Sequence, residues 1–240
     1  MNRIIAGRRA VIEAMRAKTV TTLFVDASMS RKLAEFVDEA RAHDISVKTV
    51  DRDQLDRLAK REGVKHQGVL AEGPPYAYRG LEEISHHAEI VVALDELSDP
   101  HNFGAIVRTA IAFGVKDIVL PERRSVQVTA SVVRASVGAT EHARIARVTN
   151  LQKALVDLTH RGFRILGLDA SGSEDLTLLH AAGEFDKRVI VVGSEGKGLR
   201  RLVRERCDTL CRIPQVGPVA SLNASVAASI ALYEATRSRA

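Results

Sequence analysis

The residues E-I-V-V-A-L-D-E-L-S-D-P-H-N-F-G-A-I-V-R-T-A, 89–110, decide the fold class of this chain. The first nine are almost continuously apolar, which is typical of a strand covered on both faces of a parallel sheet. Asp99 and Pro100 predict a turn, and Asn102 is a suitable N-cap for a helix that ends at Gly114. The stretch therefore predicts a strand, a turn and a helix, the repeating unit of parallel α/β sheets.

The same alternation continues on both sides of this stretch. Further strands are predicted downstream at 116–121, 143–148, 163–169, 187–193 and 209–214, with helices at 129–140, 151–161, 197–206 and 221–236. Upstream, strands are predicted at 21–27, 46–50 and 66–72, with helices at 7–18, 30–42 (capped by Ser30) and up to Arg61 (capped by Asp51 or Asp53). The prolines and glycines of G-P-P-Y-A-Y-R-G, 73–80, disfavour helix and central strand. We therefore predict a small α/β domain at 1–73, a linker at 74–85 and a larger α/β domain at 86–240.

Composition places the chain among soluble globular proteins. Of its 240 residues, 45% are hydrophobic and 27% charged, and no apolar run approaches the roughly 20 residues that cross a bilayer. The N-terminus lacks a signal-peptide core, so we expect a cytoplasmic protein without a membrane partner. The only cysteines, Cys207 and Cys211, are too few for a zinc site, and no metal is expected.

The charge of the chain indicates an anionic partner. The formal net charge is +5 and the sequence pI is about 9.4, which favours RNA or DNA, although a merely basic soluble enzyme remains an alternative. Aromatic residues make up 4% of the chain and tryptophan is absent. A surface that stacks many single-stranded bases is therefore not expected.

Three predicted strand ends carry unusual residues, and ligands of parallel α/β sheets bind beyond such ends. The first end carries Asn102 and Arg108; Asn102 could be only a cap, whereas an arginine among mostly apolar helical neighbours is costly unless it meets an anion. The second is V-V-G-S-E-G-K-G-L, 191–199, with Glu195 in mid-turn; it is neither a P-loop nor a dinucleotide fingerprint, and its carboxylate could accept from a ligand or merely cap a helix. The third is I-P-Q-V-G-P-V-A-S-L-N-A-S-V-A, 213–227, where three polar residues (Ser221, Asn223, Ser225) stand at a helix start that needs one cap.

In this order and spacing, the three segments resemble the three signature motifs of the SpoU family of RNA 2′-O-methyltransferases. The segments G-R-R-A-V-I-E-A (7–14), H-Q-G-V-L-A-E (66–72) and V-T-N-L (148–151) also resemble the subgroup that methylates a guanosine of large-subunit ribosomal RNA. The resemblance covers essentially the whole chain. It implies S-adenosylmethionine as methyl donor, a homodimer, and a parallel α/β catalytic domain with a C-terminal trefoil knot. It also implies a small N-terminal α/β domain that binds RNA and resembles a ribosomal protein.

The resemblance also implies site residues, carried over by position. The residues that match the polar motif positions, and so the catalytic candidates, are Asn102, Arg108, Glu195, Ser221 and Asn223. The cofactor contacts are expected at Leu168, Gly193, Gly196, Gly198, Ile213, Gln215 and Leu222. We expect Arg108 to clamp a phosphate and stabilise the developing oxyanion of the ribose hydroxyl, because a guanidinium hardly ever deprotonates. Glu195 and Ser221 are candidates for proton relay or positioning, and the general base stays open.

Three other functions remain as alternatives. The chemistry could act on transfer RNA, or on ribosomal RNA to confer antibiotic resistance. The chain could be an RNA-binding assembly factor without catalysis, against which the five polar motif residues argue. A nicotinamide-dependent enzyme is disfavoured because the glycine fingerprint is absent.

Overall fold

The computed structural model describes residues 2–177, 187–218 and 221–237, and its chain divides into two compact units. The first unit comprises Met1–Ala77 and Gln127–His142, and the second comprises Tyr78–Val126 and Ala143–Ala240. The segment Gln127–His142, which the sequence assigns to the larger domain, therefore makes its contacts within the first unit. The domain boundaries drawn from the sequence stay predictions.

The first unit contains a four-stranded mixed sheet with helices packed on it. Its elements are β1 (Arg3–Ala6), α1 (Arg8–Arg16), β2 (Thr22–Asp26), α2 (Ala34–Ala42), β3 (Ser46–Val50), α3 (Arg52–Arg61) and β4 (Val69–Gly73). The strand order is β1-β4-β2-β3, in which β4 pairs antiparallel with β1 and β2 while β2 pairs parallel with β3. The core between α1, α2 and the sheet is filled by side chains such as Met15, Leu23 and Phe36.

Two details of this unit differ from the sequence predictions. The strand β1 was not predicted, because its four residues are too few to show a period. The helix expected from Ser30 begins instead with a 3₁₀ turn, Ala27–Leu33, whose cap is Asp26, and α2 follows at Ala34. Asp51 is confirmed as the cap of α3, since its side chain accepts a hydrogen bond from the Gln54 N–H.

The second unit contains a seven-stranded sheet in which every strand pair is parallel, and this confirms the predicted sheet type. Its elements are α4 (Leu81–His87), β5 (Ile90–Leu94), α5 (Pro100–Ala112), β6 (Asp117–Pro121), β7 (Arg144–Val148), α7 (Leu151–His160), β8 (Arg164–Leu168), β9 (Glu174–Asp175), β10 (Arg188–Val192), α8 (Arg201–Arg204), β11 (Thr209–Arg212) and α9 (Ala224–Thr236); α6 (Ala130–Ala135) belongs to the first unit. The strand order is β7-β6-β5-β10-β8-β11-β9. The strands β5, β6 and β10 are buried throughout, as their mostly apolar sequences predict, and the charged residues that begin β6 and β10, Asp117 and Arg188, are buried as well.

At the three motifs, the capping residues or the first residues of the helices differ from the predictions. The cap of α5 is Asp99, whose carboxylate accepts from the His101 N–H, so Asn102 is free for another role. The helix expected from residue 221 begins at Ala224, and its cap is Asn223. The basic helix expected at 197–206 is only α8, because a glycine turn occupies the preceding residues. Val219 and Ala220 of the third motif lie outside the described residues.

The strand order determines where the motifs meet. Strand β10 lies between β5 and β8, and β11 lies beside β8. Because all four strands are parallel, their carboxyl ends meet at one edge of the sheet. This edge is where an open α/β sheet binds ligands.

Candidate active site

The turn after β10 is shaped by glycines. The Ser194 N–H donates to the Gly198 carbonyl at 3.1 Å and the Gly198 N–H donates back to the Ser194 carbonyl at 2.9 Å, which closes the turn. Gly196 and Gly198 have φ values of 76° and 64°, which favour glycine. A Cβ atom on Gly193 would lie 2.2 Å from the carbonyl carbon of Gly198. Only glycine at position 193 therefore allows the two sides of the turn to approach this closely.

A cleft of about 400 Å³ lies against this turn, at the carboxyl ends of β8, β10 and β11. All seven residues expected to contact the cofactor line it, together with two of the catalytic candidates: Leu168, Gly193, Gly196, Gly198, Ile213, Gln215, Leu222, Glu195 and Ser221. Its volume falls in the range of about 300–1,000 Å³ that small-molecule sites occupy. The structure thus brings residues from three distant parts of the chain to one cleft.

A hydrogen-bonded network joins the three motifs beside the cleft. The Nδ2 atom of Asn223 donates to Oδ1 of Asn102 at 3.1 Å and to Oε1 of Glu195 at 3.3 Å. The Oδ1 atom of Asn223 accepts from the backbone N–H groups of Ser225 and Val226 at the start of α9. Because backbone N–H groups only donate, Asn223 can take only this amide orientation. Both of its amide hydrogens therefore point to the other two motifs.

The far end of the network fixes Asn102 in the same way. Its Oδ1 faces an amide donor, so its Nδ2 faces the Asp99 carboxylate, to which it donates at 2.9 Å. The pKa of Asp99 lies below its ordinary value. The hydrogen bond from Asn102 is the largest cause, and the hydrogen bond from the His101 N–H is the next. Asp99 is therefore a carboxylate at neutral pH, and it locks the Asn102 amide. Asn102 is buried, whereas Glu195 is exposed at the mouth of the cleft.

Arg108 lies elsewhere on α5. Its side chain is exposed, forms no hydrogen bond or ion pair within the described part of the chain, and does not line the cleft. The premise that its apolar neighbours bury it is wrong, because α5 packs against α9 and its buried side chains, among them Phe103, Ile106 and Val107, lie on other sides of the helix. The catalytic role assigned to Arg108 stays a prediction.

One residue that organises the site was not predicted. Asp95, at the end of β5, is fully buried, and its carboxylate accepts from the Arg200 backbone N–H at 2.8 Å and from the Arg200 Nε at 2.7 Å. Its own N–H donates to the Val192 carbonyl at 2.8 Å. Asp95 therefore ties the end of β5 to β10 and to the exit of the glycine turn. The sequence does contain one feature that could have indicated this role, namely an acidic residue directly after the apolar strand 90–94.

The two cysteines are unsuited to nucleophilic chemistry, although Cys211 lines the cleft. Burial, with Asp208 as the next cause, raises the pKa of the Cys207 thiol to about 12, and burial also raises the pKa of Cys211. Thiols of this kind are poor nucleophiles and poor metal ligands. Within the described ranges, no group of three or more His, Cys, Asp or Glu side chains is placed to hold a metal ion.

None of the described helices has the length and apolarity that a membrane span requires.

Comparison with known proteins extends over both units. The SpoU rRNA methylase family matches residues 89–233, and the RNA 2′-O ribose methyltransferase substrate-binding family matches residues 4–79. A tRNA/rRNA methyltransferase of Mycolicibacterium gilvum is 44% identical over 98% of this chain and 76% of its own length. A TrmH-family tRNA/rRNA methyltransferase of Bacillus subtilis is 39% identical over 98% of this chain and 95% of its own length.

The solved structures that resemble this chain are also methyltransferases. The AdoMet-bound rRNA methyltransferase from Sinorhizobium meliloti superposes with a TM-score of 0.80 at 26% identity and covers 99% of this chain and 87% of its own. The SpoU methyltransferase AviRb from Streptomyces viridochromogenes, in complex with AdoMet, has a TM-score of 0.81 at 26% identity and covers 99% and 90% of the two chains. Since the family match spans more than half of the chain and the relatives span nearly all of it, this protein belongs to the SpoU rRNA methylase family.

Proposed function

We propose that this protein transfers a methyl group from S-adenosylmethionine to the 2′-hydroxyl of a guanosine ribose in large-subunit ribosomal RNA. The observation that carries the proposal is the hydrogen-bonded network from Asn102 through Asn223 to Glu195, beside a cleft against a glycine turn. The names of the relatives, which include both tRNA and rRNA, support an RNA substrate. The similarity of residues 7–14, 66–72 and 148–151 to the ribosomal subgroup favours ribosomal RNA over transfer RNA.

The cleft fits S-adenosylmethionine. The glycines of the turn present backbone to the cleft, and Leu168, Ile213 and Leu222 offer apolar contacts to an adenine ring. Glu195 at the cleft mouth offers an acceptor to a cationic or hydroxyl-bearing group. When bound, this cofactor supplies an electrophilic methyl carbon on a sulfonium. AdoMet in two structural neighbours supports the assignment.

The chain's own residues supply orientation and charge. The Asn102 amide donates one hydrogen to Asp99, and no described residue accepts its second hydrogen. This hydrogen and the Glu195 carboxylate are the free polar groups of the network, so they are suited to hold a ribose hydroxyl and to accept or relay its proton. Arg108 is assigned to the RNA phosphate and to the developing oxyanion, as a stably charged group.

Two further properties belong to this proposal. We propose a homodimer, supported by exposed apolar side chains on α9 and at the end of α5, where Phe113, Val226 and Tyr233 are 39%, 46% and 51% exposed. Arg108 then needs a partner protomer's cleft or a rearrangement to reach the reaction. We also propose that the C-terminal segment threads a trefoil knot, that the first domain binds RNA, and that the protein acts in the cytoplasm.

The test is methyl transfer by the purified chain from labelled S-adenosylmethionine to large-subunit ribosomal RNA, small-subunit ribosomal RNA or transfer RNA. The proposal expects labelling of the large-subunit RNA at one guanosine, located by its resistance to alkaline cleavage. Labelling of transfer RNA alone would favour the alternative substrate. A 2′-O-methyl map of ribosomal RNA that is the same in cells with and without the gene would refute the ribosomal assignment.

A further inference from the structure

The first unit contains a cleft whose lining includes none of the candidate catalytic or cofactor residues. Its volume is about 950 Å³, and it opens between the start of α1, the end of β2, α3 and the turn before β4. Four cationic side chains line it: Arg8, Arg52, Lys60 and Lys65. All four are exposed, and none forms an ion pair or a side-chain hydrogen bond within the described residues. The cleft therefore offers several free positive charges to an anion.

At the floor of the same cleft lies a carboxylate. Asp26 is 1% exposed, and its Oδ1 accepts from the backbone N–H and the hydroxyl of Ser28 at 2.9 and 2.7 Å. Its Oδ2 is also buried but accepts no hydrogen bond from any described residue. The Ser28 hydroxyl is the largest cause that lowers the pKa of Asp26, and the charge of Arg52 acts in the same direction. The group is therefore an ionised carboxylate with one oxygen that lacks a donor.

The neighbouring histidine cannot supply that donor. The Nδ1 of His66 accepts from the Gly68 N–H at 2.9 Å, so its proton is on Nε2, which faces Oδ1 of Asp56 at 3.0 Å. Both ring nitrogens are occupied. An ionised, buried oxygen without a partner is costly and is unusual in native proteins. The capping role of Asp26 explains its Oδ1 but not its Oδ2.

These observations define the ligand. It must be anionic beside the four cations, and it must bring a hydrogen-bond donor to Asp26. An RNA strand with an unpaired base does both, since its phosphates are anionic and its base edge carries N–H groups that single-stranded regions expose. Free phosphate satisfies only the cations. The apolar side chains of Met29 and Val64 line the cleft as well and can cover the face of a base.

We infer that the cleft binds an unpaired nucleotide of the RNA substrate, with the base edge donating to Asp26 and the flanking phosphates held by Arg8, Arg52, Lys60 and Lys65. This inference rests on the proposed function, because it takes the partner to be RNA. It divides the work of recognition between the two units. The first unit reads a base, and the second carries the chemistry.

The test measures RNA binding by the full chain without cofactor, so that it can fail independently of methylation. The probe is a pool of RNA hairpins with a seven-nucleotide randomised loop, and the loops retained by each variant are sequenced. The wild type should retain loops that share one base identity at one position. Asp26→Asn keeps the capping oxygen but turns the free oxygen into an amide donor, so it should lose or change that preference and weaken binding about tenfold, the effect of one charged hydrogen bond.

The cationic side chains have a different expected signature. Lys60→Gln should weaken the binding of all loops alike and reduce the dependence of affinity on salt. Lys32→Gln, a basic residue of the same unit outside the cleft, is the matched control and should leave both unchanged. Melting temperatures check that each variant folds, and Arg52→Gln should repeat the signature of Lys60→Gln.

Three results would overturn the inference. Asp26→Asn could fold and retain the wild-type loop profile and affinity. Fully paired hairpins could compete as well as looped ones. Lys60→Gln could bind like Lys32→Gln. If S-adenosylmethionine still binds in these cases and ribosomal RNA is still methylated, the proposed function stands and only this cleft is misassigned.

Discussion

The buried carboxylate of Asp95 holds both the backbone N–H and the Nε of Arg200, at 2.8 and 2.7 Å. This pair fixes the exit of the glycine turn to the end of β5, so the shape of the cleft depends on a residue that does not line it. Asp95→Asn should therefore weaken S-adenosylmethionine binding about tenfold and lower the free energy of unfolding by about 1.5–3 kcal/mol, the contribution of hydrogen bonds to a charged group. Isothermal titration calorimetry and denaturant unfolding measure the two effects.

The control for Asp95 is Glu96→Gln. Glu96 also contacts Arg200, at 3.0 Å, but this pair is partly exposed. Its loss should cost less than about 1 kcal/mol and leave the cofactor affinity unchanged. Equal effects of the two substitutions would contradict the anchoring role of Asp95.

The second prediction concerns Asn223. Asn223→Asp keeps the oxygen that caps α9 but removes both amide donors and places a carboxylate beside Glu195. The variant should fold, because the cap remains, and methylation should fall about a hundredfold or more, the effect of removing a positioned donor. Asn223→Ala, which also removes the cap, should in addition lose about 1 kcal/mol of stability. Methyl-transfer rates and thermal melts separate the two, and an active Asn223→Asp enzyme would remove the network from the mechanism.

The third prediction concerns Gly193. In Gly193→Ala the new methyl group would lie 2.2 Å from the Gly198 carbonyl carbon and 2.5 Å from the Leu199 nitrogen, so the turn must open. Cofactor binding should fall by at least about tenfold, with a stability loss of about 1–3 kcal/mol from overpacking. Gly80→Ala is the control, since a Cβ there meets nothing within 4 Å. Titration of both variants with S-adenosylmethionine distinguishes them; near-wild-type binding by Gly193→Ala would show that the turn adapts.

Arg108 gives the fourth prediction. Its side chain is exposed and has no partner among the described residues, so Arg108→Ala should change the free energy of unfolding by less than about 0.5 kcal/mol. Methylation should nevertheless be abolished while cofactor affinity stays close to the wild-type value. Lys116→Ala, another exposed basic residue of the second unit, should keep full activity. Loss of cofactor affinity in Arg108→Ala to the same degree as activity would show that the role of Arg108 is misplaced.

The fifth prediction uses the thiol of Cys207. Its pKa is raised to about 12 by burial, whereas the unfolded thiol titrates near 9.0. Iodoacetamide at pH 8 should therefore label Cys207 only after unfolding. As the pH rises from about 9 toward 12, the unfolded state loses its proton first, so this thiol lowers stability over that range. The melting temperature of Cys207→Ala should fall less steeply there than that of the wild type; parallel curves would contradict the shift.

The sequence by itself determined the sheet type and the neighbourhood of the site. Apolar runs such as 90–94 and 189–192 predict buried parallel strands, because apolar side chains on both faces of a strand indicate that both faces are covered. The glycines at 193, 196 and 198 predict a turn that lets a ligand approach, and all three line the cleft. These properties are local, so the identity and spacing of neighbouring residues suffice to predict them.

Only the tertiary structure decided which polar groups meet. The sequence cannot show that Asn223 caps α9 with its oxygen and gives its two hydrogens to Asn102 and Glu195, because the three residues come from separate segments. The same holds for Asp95 and Arg200, which are 105 residues apart. For Arg108 the sequence suggested a burial that the structure does not show, since its apolar neighbours in sequence face other sides of the helix and leave it exposed. Long-range hydrogen bonds and side-chain burial depend on which strands are adjacent, and the order β5-β10-β8-β11 is set by the packing of the whole sheet.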